Sequence, residues 1–188
     1  MNDRGFHNDN AIGAIGENFY KDILLRLEAN GNIASFLDLR ESLISRLVDC
    51  DFAVFTTKKE NGEYYSVKDI EEMILNRELP KEGISLVEVK TDTRINETEN
   101  VFLEWIMHES CGCFAITRAD TWAYCGLDGD GNVNNMWLIN IRKLRRAIVE
   151  NSISGDNKYF DAKKCIYADK ISIETMIDMG IARKYDKI

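Results

Sequence analysis

Glu88 and Lys90 lie two residues apart in the run Ile84-Ser85-Leu86-Val87-Glu88-Val89-Lys90. Residues two apart on a β-strand project from the same face, and the rest of the run is apolar enough for a central strand. A carboxylate and an ammonium placed there cost several kcal/mol per ion unless something compensates them. Asp51, followed by Phe52-Ala53-Val54-Phe55, repeats the situation one strand earlier, and Glu17 lies in an early helical stretch. Two acids and a lysine converging on one sheet surface suit a divalent cation that activates water against a phosphodiester. Carboxylate oxygens are hard donors, which selects Mg²⁺ or Mn²⁺. Asp49 is a rival for Asp51, since period two places both on one face, but Asp51 is the one followed directly by the apolar run.

These side chains need elements to hold them. Ile12, Ile15, Phe19, Ile23 and Leu27 recur at three- and four-residue steps, which predicts an amphipathic helix over 13–29 ending at Asn30-Gly31. Glu17 falls on the margin of its apolar face. Residues 1–10 are polar and are expected to be flexible. A second helix is predicted over 34–47, a strand over 51–57, and a hairpin turn at Glu60-Asn61-Gly62-Glu63 returning through Tyr64-Tyr65-Ser66-Val67. A short helix over 69–77 exits at Pro80, the only proline. Strands follow over 84–91, 100–107, 122–126 and 136–141. A helix over 141–151 carries Arg142, Lys143, Arg145 and Arg146, and the last thirty or so residues suggest a strand near 165–167 and a helix near 173–179. Nothing splits the chain, so 1–188 is read as one domain with inserted helices at 34–47 and 69–77 and a C-terminal extension over 152–188.

The order of these pieces resembles the PD-(D/E)xK nuclease superfamily, in which a sheet with a flanking helix carries a lone acid and then a (D/E)-x-K triplet. Asp51 matches the lone acid, Glu88 and Lys90 the triplet, and Glu17 the helix acid of the Holliday-resolvase-like branch. Glu88-Val89-Lys90-Thr91-Asp92, then Thr98-Glu99-Asn100 through Glu104, then Ala119-Asp120-Thr121-Trp122-Ala123-Tyr124, are similar to the successive motifs of phage and prophage-type members. The similarity covers roughly residues 13–150. Cys50 stands where the superfamily often has proline, and Glu99 where the usual turn has glycine. The resemblance implies an α/β, restriction-endonuclease-like fold with a mixed central β-sheet flanked by helices.

It also implies roles. Asp51 and Glu88, with the carbonyl of Val89, would bind the Mg²⁺ or Mn²⁺ ion, and Lys90 would orient or deprotonate the attacking water. Glu17 would hold a metal-bound water or a second ion. Asp92 is an outer acid or an exposed strand end, Glu104 a support for lysine or metal, and Asn100 a phosphate contact or a turn cap. His108 is a candidate second base or a surface side chain. Arg142, Lys143, Arg145 and Arg146 are the best nucleic-acid backbone contact, with a solvated helix face as the alternative. The expected activity is endonucleolytic phosphodiester hydrolysis of nucleic acid, DNA in preference to RNA. A non-catalytic binding module that keeps the fold, or an RNA-directed nuclease, is the alternative.

Composition bounds this reading. The chain has 188 residues, 45% apolar and 30% charged, an ordinary globular balance able to bury a full core. Its net charge of −8 disfavours a surface built for nonspecific polyanion binding. The charge is uneven, with 11 Lys/Arg against 7 Asp/Glu over 140–188 and 13 against 25 before that. No apolar run reaches membrane-spanning length and the polar start is not that of a signal peptide. Five cysteines without paired metal spacing point to free thiols in a reducing cytoplasm. A homodimer is compatible with all of this. Asp128-Gly129-Asp130-Gly131-Asn132 fails as a calcium loop, because Val133 replaces the required glycine and Ile139 the bidentate glutamate. No Gly-Lys-Ser/Thr phosphate loop occurs.

Overall fold

A computed structural model describes residues 3–79, 81–107, 110–153, 157–161 and 166–186. Helix α1 (Asp3–Ala29) leads through strand β1 (Ser35–Asp38), helix α2 (Leu43–Val48), strand β2 (Phe52–Phe55) and helix α3 (Val67–Leu75) to the long strand β3 (Ile84–Asp92). The single turn α4 (Ile95–Thr98) precedes β4 (Asn100–Met107), β5 (Ser110–Cys111) and α5 (Cys113–Ile116). Strands β6 (Thr121–Leu127) and β7 (Val133–Asn140) form a hairpin, followed by α6 (Ile141–Val149). Strands β8 (Asn157–Asp161) and β9 (Ile166–Ser172), helix α7 (Ile173–Asp178) and β10 (Ala182–Lys184) complete the described chain. Among the described residues, no helix is long and apolar enough to cross a membrane.

The fold is α/β. A six-stranded mixed sheet runs β1-β2-β3-β6-β7-β10, and a four-stranded sheet runs β5-β4-β9-β8. Among the described residues, only β3 and β6 pair in parallel; the other neighbours are antiparallel. Strand β3 is covered on both faces, which is why its sequence reads as a nearly continuous apolar run. Val87 and Val89 pack with Phe52 against Tyr20, Ile23 and Leu24 of α1. Leu86 faces the other way, into a core with Phe55, Trp122, Ile139 and Leu144. Each fully buried aliphatic or aromatic side chain of this kind contributes roughly 1.5–3 kcal/mol. Glu88 shares the Leu86 face.

Several elements depart from expectation. Helix α1 begins at Asp3, earlier than the start expected at residue 13. A helix already nucleated adds one backbone hydrogen bond per further residue, and no proline stops it there. The helix predicted over 34–47 is a strand followed by a short helix. Ser35–Asp38 pairs antiparallel with β2, setting Phe36 against Val54, and Phe36 packs its ring near Phe52. The helix starts only after Ser42, whose hydroxyl caps Ser45 N. The return strand expected at 64–67 is replaced by a capping box, Ser66 with Asp69, that opens α3. Strand β4 belongs to the second sheet. The segment expected as an extension supplies β8 and β9 to that sheet and β10 to the first. Pro80, His108 and Cys165 lie outside the described residues.

Candidate metal and phosphodiester site

The turn from α2 into β2 builds the acidic part of the site. Asp49 takes a left-handed conformation at φ 53° and ends α2 through its amide on Ser45 O. Two residues later, the Asp51 amide donates to Val87 O at 2.8 Å. The Asp51 carboxylate then accepts the Val89 amide at 2.7 Å. Asp51 therefore bonds β3 on either side of Glu88. Thr117 Oγ1 fixes the Asp49 carbonyl at 3.0 Å, and Arg118 N fixes that of Val48 at 2.8 Å.

Glu88 is 6% exposed. Lys90 Nζ lies 2.6 Å from Glu88 Oε1 and 3.7 Å from Asp49 Oδ2. It also sits over the Trp122 ring at 5.6 Å from the centroid. Asp49 Oδ2 is buried and has no hydrogen-bond partner. Burial pushes the Glu88 carboxyl up to about 8; Lys90 opposes this, while Asp51 and Asp49 add to it. Burial likewise lifts Asp51 to about 6 against the Val89 amide, with Glu17 adding to the rise. Asp49 is raised by burial although Lys90 opposes it. Burial alone would depress the Lys90 ammonium, but Glu88, Cys113 and Asp49 outweigh it and hold it above the usual lysine range. In this state Lys90 is a firm cation rather than a base.

Helix α1 comes close to β3 because residue 16 is glycine. A Cβ there would collide with Thr91 Oγ1 and stand 3.4 Å from Cys125 Cβ. The next residue, Glu17, is thereby brought to the sheet, near enough for its charge to act on Asp51. Arg40, just beyond β1, holds Glu17 Oε2 at 3.1 Å and Asp38 at 2.6 and 2.8 Å. Arg40 also lies over the Phe52 ring at 5.3 Å. Sequence reasoning assigned no role to Arg40, since nothing local links it to Glu17. It had set Asp49 behind Asp51; the Asp-x-Asp spacing was the available sign that both could face the same lysine.

Lys90 opens onto a cleft of about 590 Å³ between the sheets, shared with Asp92, Asn100, Glu104, Phe102 and Tyr159. Asp92 accepts from Tyr124 Oη at 2.9 Å and from the Arg94 and Ile95 amides, so it holds the turn into α4. Asn100 donates its side-chain amide to Thr98 O. Glu104 accepts the Cys113 thiol at 3.4 Å, a thiol that burial pushes up to about 12.

The basic helix does not present its four cations as one free row. Arg142 pairs with Asp120, Arg146 with Glu150, and Lys143 reaches Gly180 O at 3.0 Å. Arg145 donates to the Phe114 and Thr117 carbonyls at 2.9 and 2.8 Å.

Among the described residues, no three Asp, Glu, Cys or His side chains stand together as a ready-made metal cage. Mg²⁺ rarely uses one; it is bound through one or two carboxylates, keeping several waters and taking substrate oxygens. Asp51 and Glu88 are hard oxygen donors, and Asp49 Oδ2, buried without a hydrogen bond, lies 3.7 Å from the lysine that Glu88 holds. This donor chemistry fits Mg²⁺ or Mn²⁺. No family model matches the chain, no curated protein matches its sequence, and no solved structure matches its fold.

Proposed function

We propose that the chain is a Mg²⁺- or Mn²⁺-dependent nuclease that hydrolyses phosphodiester bonds, DNA in preference to RNA. One observation carries this reading. Glu88 and Asp49 both pair with one ammonium, Lys90, and the charge of Asp51 reaches Glu88, while Glu17 is balanced by Arg40. With all three carboxylates ionised, the cluster holds two negative charges more than its own lysine neutralises. A divalent cation supplies that missing charge in the form carboxylates prefer.

Asp51 and Glu88 would hold the ion, with Asp49 at hand and Glu17 reaching in from α1. When bound, the ion would offset phosphate charge and polarise a water toward attack on phosphorus. Lys90, a persistent ammonium at the cleft wall, orients the phosphate and the water and offsets the charge developing on phosphorus. The aromatic and polar walls of the cleft give the nucleic-acid strand a place to lie.

The test is incubation of purified protein with labelled DNA and RNA structures, with Mg²⁺, Mn²⁺ or chelator. Cleavage that needs the ion and is lost in Asp51→Asn supports the reading. A second reading, a binding module without catalysis, is favoured by the closed Glu88–Lys90 pair, which already satisfies one intended ligand. Tight strand binding with no cleavage under any ion would establish it instead.

A further inference from the structure

The face of β3 that carries Glu88 also borders a concentration of the opposite charge. A cavity of about 400 Å³ between α3 and α6 is lined by Arg77, Arg118, Arg142 and Arg145, with Asp120 as the one carboxylate among the described residues of its wall. Four guanidinium groups against one acid leave a net +3 there, in a chain whose net charge is −8. The remaining wall is apolar, through Met73, Ile74, Leu79 and Leu86.

The four arginines divide into two kinds. Arg142 and Arg145 are already anchored. Arg142 Nε is 2.9 Å from Asp120 Oδ1, and the other Asp120 oxygen accepts the Leu86 amide at 3.0 Å. Arg145 is fixed by two carbonyls and by the Phe114 ring, 5.4 Å from its guanidinium. Arg77 and Arg118 make no side-chain hydrogen bond or ion pair among the described residues. Two anchored guanidinium groups and two unengaged ones around one cavity match an anion that accepts several forked hydrogen bonds. Phosphate is that anion. The apolar wall calls for a flat, weakly polar group beside it, and the volume lies in the range that small-ligand sites occupy, roughly 300–1,000 Å³.

We infer that this cavity binds a phosphomonoester carried on a flat ring system, the chemistry of a nucleoside monophosphate or of the 5′-phosphorylated end of a strand. The site does not depend on the metal cluster, and the inference stands apart from the nuclease reading. Sequence reasoning grouped Arg142 and Arg145 with Lys143 and Arg146 by helix; the cavity groups them with Arg77 and Arg118 instead.

Calorimetric titration of the full chain in chelator, with no divalent ion present, tests this without touching the metal site. Adenosine monophosphate should bind more tightly than either adenosine or inorganic phosphate. R77Q and R118Q should each weaken it roughly ten- to hundredfold, the effect of losing hydrogen bonds to a charged group. Both arginines are exposed, so the variants should keep the parent melting temperature. K143Q and R146Q should bind as the parent does. A 5′-phosphorylated oligonucleotide that binds more tightly than its 5′-hydroxyl twin, with the difference lost in R118Q, identifies a strand end as the source; preference for the free nucleotide identifies a small molecule. Equal binding of adenosine and its monophosphate, or unchanged affinity in both R77Q and R118Q, overturns the inference.

Discussion

Glu88 and Lys90 form an ion pair at 2.6 Å, yet the Glu88 carboxyl is still pushed up to about 8. Burial and two neighbouring acids therefore outweigh one contact with an ammonium. The site is under-neutralised as folded, and its stability should respond to anything that supplies positive charge.

The first consequence is thermal. Mg²⁺ or Mn²⁺ at about a hundred times its dissociation constant should stabilise the protein by about 2.7 kcal/mol. For a chain of this size that is a rise of about 5–10 °C in melting temperature. Asp51→Asn should remove most of the rise, and Asp92→Asn, whose carboxylate only holds a turn, should leave the metal response intact. An equal shift in wild type and Asp51→Asn would place the ion elsewhere.

The pH dependence follows from the same cluster. The folded-state values of Glu88 and Asp51, about 8 and about 6, lie above their ordinary values of 4.5 and 3.8. Groups raised in this way contribute stability that is fully present below the ordinary values and is lost as pH rises through the folded ones. In chelator, stability should thus fall between about pH 4 and pH 8, by at most about 1.4 kcal/mol per pH unit for each proton retained. Denaturant unfolding at several pH values checks this. Glu88→Gln should flatten the upper part of the fall; an unchanged slope would mean that Glu88 titrates normally.

A Lys90 variant would separate metal binding from the proposed chemistry. Lys90→Met should lower cleavage by roughly a hundred- to ten-thousandfold, the usual range for a positioned proton-transfer or charge-stabilising group. The metal-induced thermal shift should persist or grow, because Glu88 is released from its ion pair. Cleavage at the parental rate in Lys90→Met would remove the lysine from the mechanism.

Two glycines on one helix should respond with opposite signs. At Gly13 an added Cβ meets nothing closer than Glu17 Oε1 at 3.7 Å, so Gly13→Ala should stabilise by about 0.5–1 kcal/mol through helix propensity. At Gly16 the added Cβ collides with Thr91, and the resulting displacement costs roughly 1–3 kcal/mol. Gly16→Ala should be net destabilising and should also weaken the metal response, since Glu17 moves with the helix. Chemical denaturation of the two variants side by side measures both.

The parts of this fold that local chemistry dictates were visible in the sequence. Strand β3 announces itself by its apolar run, α6 by its period, and the β6–β7 hairpin by the turn at Asp128-Gly129-Asp130-Gly131. Strand β1 was hidden because Phe36 and Leu37, followed by Leu43 and Leu47, mimic helical spacing; only the pairing with β2 makes 35–38 extended. The second sheet was hidden because the partner of β4 is β9, far along the chain, and no local signal encodes that pairing. For the candidate site, the common face of Glu88 and Lys90 follows from their spacing, and Asp51 stands out by the apolar run after it. Asp49 depends on a left-handed turn, and Arg40 on the packing of α1 against the sheet edge, so neither role is written in neighbouring residues.

The two sheets are interlaced along the chain. After β3 the polypeptide leaves the six-stranded sheet to lay down β4 and β5, returns for β6 and β7, crosses again for β8 and β9, and comes back for β10. No single cut of the backbone separates one sheet from the other with all its strands. The molecule should therefore melt in one transition, and a nick in an exposed turn should leave two fragments that stay together until both sheets come apart. Assembly carries the opposite burden: β4 must wait for β9, and β7 for β10, so folding is governed by long-range pairings and should be slow for a chain of this length.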